Sequence, residues 1–137
     1  MRTSLSVLAG FVHWSVLWCT SNFLVASGMP HAYGADGSVD HVGVLSLFLV
    51  ASLAFSLLAG FATARLACER AAVAVGVLAA IQVVVGMGVE IAWWSLIPAW
   101  YHLTFLALLA PGILAGGWLG GARWSAPGGT SPNTAGA

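Results

Sequence analysis

The sequence predicts an all-α integral membrane protein, a four-transmembrane-helix bundle of two helical hairpins with both termini in the cytoplasm. Three observations predict it. Of 137 residues, 60% are hydrophobic and 6% charged, with four arginines, no lysine and four acids. A soluble domain of this size needs a charged surface that such a chain cannot supply, and its mean hydropathy of +0.96 agrees. The apolar residues fall into four long runs, and the arginines gather at ends that share one side of such a bundle.

Taken in order, the runs cover residues 5–27, 42–64, 71–94 and 100–121. At about 1.5 Å per residue, roughly 23 residues rise about 34 Å, enough to cross a bilayer with some tilt. The first run is too long for the apolar centre of a secretory signal, and it contains His13, Trp14, Trp18 and Asn22. Residues 28–41 carry Gly, Pro, Asp and His and are expected to form a polar loop. Residues 65–70 are expected to form a short charged turn, and residues 95–99, with Pro98, a tight connection. Residues 1–123 therefore form the transmembrane domain. Residues 124–137, rich in Gly, Pro, Ser and Thr, are expected to be a disordered cytoplasmic tail.

Charge sets the orientation. Arg2, Arg65, Arg70 and Arg123 fall on one side, whereas the opposite side holds Asp36, Asp40 and Glu90 and no basic residue. Cytoplasmic loops carry the excess of arginine, so both termini are expected inside. Trp93, Trp94, Trp100 and Tyr101 then mark the outer interface, and Trp118 and Trp124 the inner one.

Small residues recur four apart: Ser52, Ser56, Gly60 and Ala64; Ala72, Gly76 and Ala80; Gly112, Gly116 and Gly120. Such stripes let helix backbones approach closely where lipid supplies little hydrophobic drive between helices. Gly60, Gly76, Gly112, Gly116 and Gly120 are the expected packing glycines. Pro111 removes one helical hydrogen bond and should bend the last helix. The cluster Gly116, Gly117, Gly120 and Gly121 is no phosphate loop, because no strand precedes it. "LLAG" at 57–60 and "ILAG" at 113–116 echo one another, too briefly to establish a repeat.

Depth arithmetic places His13, Ser52, Ser56 and Gln82 in one slab, an expected buried polar layer in which a neutral His13 bonds Ser56 or Gln82. The outer end collects His31, Asp36, Asp40, His41, Glu90 and His102. Imidazole and carboxylate suit zinc or copper, so these are the metal candidates, against a plainly solvated loop as the favoured reading. Only one histidine is deep, which excludes a two-haem cytochrome. No HExxH or Gly-x-Ser-x-Gly element occurs, and Cys19 and Cys68 read as small buried hydrophobes. No catalytic residue and no cofactor are expected. The absence of a basic patch argues against nucleic acid as a partner. The first run carries no acid, so likeness to small multidrug transporters, whose essential Glu lies in the first helix, fails.

The stretches "LAGFATARLACERAAVAVG" and "PAWYHLTFLALLAPGILAGGWL" resemble those of small, uncharacterised four-span bacterial inner-membrane proteins. The shared features are small residues before the Arg that follows the second helix, an aromatic "WY" opening the last helix, and Pro and Gly towards its end. The resemblance covers residues 57–121. It implies the four-helix architecture and the bacterial inner membrane, and it carries no catalytic residue.

The expected role is non-enzymatic: a small interaction or accessory subunit in the lipid bilayer, held to a second copy or to a larger membrane protein. The alternative is a small-solute or ion transporter acting as an oligomer and using His13, Gln82 or Glu90. A third reading is a metal or redox site at the outer face.

Overall fold

The structure is a computed structural model that describes residues 2–122. Arg123, Trp124 and the expected tail lie outside the described residues. Helix α1 runs Arg2–Gly28, and a connection containing a short 3-10 turn at Pro30–Ala32 leads to α2, Val42–Ala67. A second 3-10 turn, Cys68–Arg70, leads directly into α3, Ala71–Ala92, and α4 spans Ala99–Leu119. Every long segment is helical, the conformation that pairs backbone N–H and C=O groups within the segment and is therefore compatible with insertion into lipid.

The expectation of four spans is corrected. Three helical runs are long and apolar enough to cross a membrane: Thr3–Gly28, Val42–Ala92 and Ala99–Leu119. The second is 51 residues long, joined where the sequence was expected to break. The reason lies at residues 65–70, which contain neither Gly nor Pro: α2 runs on to Ala67, the 3-10 turn Cys68–Arg70 follows at once, and α3 starts at Ala71 with no extended linker between them. At about 1.5 Å per residue a straight helix of that length would far exceed a hydrocarbon core of about 30 Å. The run is not straight. Cys68, at φ 52° and ψ −114°, reverses the chain, and Thr63 of α2 and Leu78 of α3 both close on Gly10 of α1. The two arms, α2 and α3, therefore lie side by side.

The tightest joint is between α2 and α4. A methyl group on Gly60 would meet the Ile113 carbonyl oxygen, and one on Gly116 would meet the Leu57 carbonyl oxygen. Gly112 would come 2.9 Å from Ser56 Cβ, and Gly120 2.7 Å from the Phe61 carbonyl oxygen. These glycines let two backbones touch, the close contact that holds helices together in lipid. The contacts are reciprocal. The glycine closing "LLAG" meets the first residue of "ILAG", and the converse also holds; with Gly112 beside Ser56 and Gly120 beside Phe61 and Ala64, the two helices run parallel.

One expected packing residue is corrected. A methyl group on Gly76 meets nothing within 4 Å. Ala80 is exposed, and α3 packs instead through Ala71, Ala74, Val75, Leu78 and Ala79. The sequence stripe at 72, 76 and 80 lies beside the buried face, not on it. Conversely, Gly10 and Gly117 are packing glycines, against Thr63 and Leu78 and against Val75 respectively.

At the other end of the bundle, Trp14, Trp18, Phe48 and Phe105 form an aromatic cluster. Trp14 stacks on Trp18 with ring centroids 5.4 Å apart, and Trp18 lies 5.3 Å from Phe105 and 5.7 Å from Phe48. The cluster fixes how α1, α2 and α4 meet below the two connections.

Candidate ligand-binding site

The site lies where α1 ends, α2 begins, α3 ends and α4 begins. Residues 93–98 turn the chain from α3 into α4. Leu96 N donates to the Trp93 carbonyl at 3.0 Å, and Pro98, with φ −60° and ψ 140°, caps α4. This turn brings Glu90, on the last turn of α3, against His102, on the first turn of α4. His102 is fully enclosed, and the Glu90 side chain is 7% exposed.

The hydrogen bonds of His102 fix its protons. Ring Nε2 lies 3.1 Å from the Ile97 carbonyl oxygen, which can only accept, so Nε2 carries a hydrogen. Nδ1 meets Glu90 Oε2. One proton lies between these two atoms, either on the carboxyl facing a neutral imidazole or on the imidazolium facing a carboxylate. Both arrangements are neutral overall, as a buried pair requires. Trp94 stacks on the imidazole at 4.8 Å and 17°, and Tyr101 meets it edge-on at 6.1 Å.

Beside this pair lies a cavity of about 510 Å³. Its walls are mostly apolar and include six aromatic side chains: Trp18 and Phe23 of α1, Phe48 of α2, Tyr33 of the first connection, Trp93 and Tyr101. Glu90 is the one acid that lines it, and no basic residue does so among the described residues. Asn22 also reaches the wall, with Nδ2 donating to the Trp18 carbonyl at 2.9 Å.

The first connection supplies part of the cavity wall through Tyr33, Gly37 and Val39, and it is tied down. Val39 N donates to the Leu96 carbonyl at 2.9 Å, joining the two connections. Asp36 Oδ1 accepts from Ser38 Oγ at 2.7 Å and from Ser38 N at 3.0 Å, closing a turn in which Gly37 has φ +85°, where a side chain is disfavoured. The Ser38 hydroxyl, then its amide, holds the Asp36 carboxyl below the usual carboxylate range. Burial pushes the Tyr33 phenol up.

Of the six outer-end candidates, only Glu90 and His102 meet. His41 Nδ1 caps α2 by accepting from Val44 N at 3.4 Å, while His31 and Asp40 are exposed and Asp36 serves the Ser38 turn. Among the described residues, no three His, Cys, Asp or Glu side chains gather closely enough to hold a metal ion.

In the buried layer, Ser52, Ser56 and Gln82 are enclosed, but His13 is not and is corrected here: it faces outward. Its neighbour Trp14 occupies the inward position and donates from Nε1 to Ser56 Oγ at 3.1 Å. Ser52 Oγ and Gln82 Oε1 have no hydrogen-bond partner among the described residues. Cys19 and Cys68 are exposed rather than buried, and Cys19 borders the cavity.

The cavity was missed from sequence, although a signal existed. Trp14, Trp18 and Asn22 recur four apart on α1, one face of a helix. Searches against protein-family models, curated proteins and solved structures found no match to this chain.

Proposed function

We propose that the protein is a non-enzymatic membrane protein that binds a small hydrophobic solute in the cavity beside Glu90, as a component of small-solute transport. The observation that carries this reading is a buried carboxyl group at the wall of an aromatic cavity of about 510 Å³. Ligand sites commonly enclose about 300–1,000 Å³, mostly apolar with a few convergent polar groups. An ionisable residue within a membrane helix is costly and marks function by default. A non-enzymatic role is supported by His102, whose two ring nitrogens are committed to Glu90 and Ile97 and leave none to activate a nucleophile. The bacterial inner membrane is the proposed setting. The cavity end, with Asp36 and Asp40, faces outward, and the end with Arg65 and Arg70 faces the cytoplasm.

The test is binding of a neutral apolar probe, neopentylbenzene, to the protein in detergent, read by tryptophan fluorescence, since Trp18 and Trp93 line the cavity. Saturable binding that Ala26→Phe weakens at unchanged thermal stability supports the reading, because Ala26 also borders the cavity. Absence of saturable binding of this probe and of a charged probe of the same shape, or binding indifferent to Ala26→Phe, overturns it.

A further inference from the structure

We infer that the cavity takes a hydrophobic monocation, an aryl-alkyl ammonium, whose charge replaces the single proton held between Glu90 and His102. The inference rests on the reading of this cavity as a solute site and specifies the solute. Two independent features of the wall select a cation. Trp18, Phe23, Tyr33, Phe48, Trp93 and Tyr101 present aromatic rings, and ring faces attract ammonium groups at centroid distances of about 6 Å or less. Glu90 is the one acidic group among them, with no basic residue on the wall among the described residues.

The proton count supplies the rest. With Nε2–H fixed by Ile97, loss of the shared proton leaves the Nδ1 lone pair facing a carboxylate, two acceptors in contact and one uncompensated buried charge. An ammonium beside Glu90 compensates that charge. The exchange balances: one cation enters, one O–H or N–H bond within the pair breaks, and one proton leaves to water. The net charge of the site is unchanged. The titratable groups that share the cavity wall with Glu90 are Cys19 from α1, Tyr33 from the first connection and Tyr101 from α4, whereas α2 contributes only Leu45 and Phe48.

The experiment compares benzyltrimethylammonium with its neutral isostere neopentylbenzene, using the full chain in detergent. Calorimetry in two buffers of different ionisation enthalpy counts the protons released. The expected result is cation binding that strengthens about tenfold per pH unit while the pair holds its proton, with one proton released per cation. Glu90→Gln, whose amide N–H can still donate to His102 Nδ1, should abolish proton release and weaken cation binding at least about tenfold. Binding of neopentylbenzene without the cation overturns the inference and leaves the solute-site reading standing. Binding of neither overturns both. Cation binding by the unaltered protein with no proton release overturns the exchange, and that measurement needs no variant to fold.

Discussion

His102 meets Glu90 across the α3–α4 turn, with one imidazole nitrogen on the carboxyl and the other on the Ile97 carbonyl. The pair spends the whole hydrogen-bonding capacity of the ring within a dozen residues of chain. It also leaves a carboxyl at the wall of the cavity.

Removing either partner is therefore unequal in effect. His102→Ala leaves a carboxyl buried without its partner and removes an enclosed ring stacked on Trp94. Breaking a buried pair by deleting one side costs about 3–5 kcal/mol. Glu90→Gln preserves a donor towards Nδ1 and should cost about 1 kcal/mol or less. Thermal unfolding in detergent checks the order, and equal losses in both variants would contradict it.

Trp14 and His13 are neighbours with opposite fates. Trp14→Phe deletes the Nε1 donor to Ser56 and should lower stability by about 0.6 kcal/mol, the average for such bonds between membrane helices, plus the lost packing on Trp18 and Phe105. His13→Ala, on the outer surface, should change stability by less than about 0.5 kcal/mol. A larger loss from His13→Ala than from Trp14→Phe would show that α1 is rotated from its described position.

The glycine seam discriminates sharply between similar substitutions. Gly60→Ala and Gly116→Ala push a methyl group into a backbone carbonyl of the facing helix and should cost at least about 1–3 kcal/mol. Gly76→Ala meets open space and should stabilise by up to about 1 kcal/mol through helix propensity. Unfolding midpoints of the three variants give the comparison directly.

The Asp36 turn should make the first connection sensitive to acid. Its carboxyl is held below the usual range in the folded protein, so its contribution is present above the unfolded value of about 3.9 and is lost as pH falls through the lower folded value. Between neutral pH and about pH 4 the turn should not respond. Hydrogen exchange at Ser38, whose amide donates to Asp36, should show the loss below that range, and Asp36→Asn should remove the dependence.

Much of this architecture is legible in the sequence because apolar length and small-residue spacing act through one helix at a time. Gly60, Gly112, Gly116 and Gly120 could be read as a seam from their spacing alone. What escapes is rotation about the helix axis. In lipid the outward face is as apolar as the inward one, so α1 carries no polar side to orient it, and depth arithmetic cannot tell His13 from Trp14. One residue is about 100° of rotation, enough to exchange surface for interior. The same ambiguity misplaced Gly76. The joining of residues 65–70 escaped for another reason: charge marked a boundary, but the chain turns at Cys68 within a 3-10 turn and needs no Gly, Pro or extended linker to do so. Glu90 and His102 were both placed at the outer end, yet their contact depends on the turn geometry around Pro98, which spacing alone does not give.

The central claim is that one proton lies between Glu90 and His102 while Nε2–H is held by Ile97. Nitrogen-15 spectroscopy of histidine-labelled protein tests it most directly, with the His102 signal assigned by its loss in His102→Ala. The account predicts a protonated Nε2 and an Nδ1 whose shift moves when Glu90 is changed to Gln. A neutral ring protonated only on Nδ1, with a shift indifferent to Glu90→Gln, would contradict it.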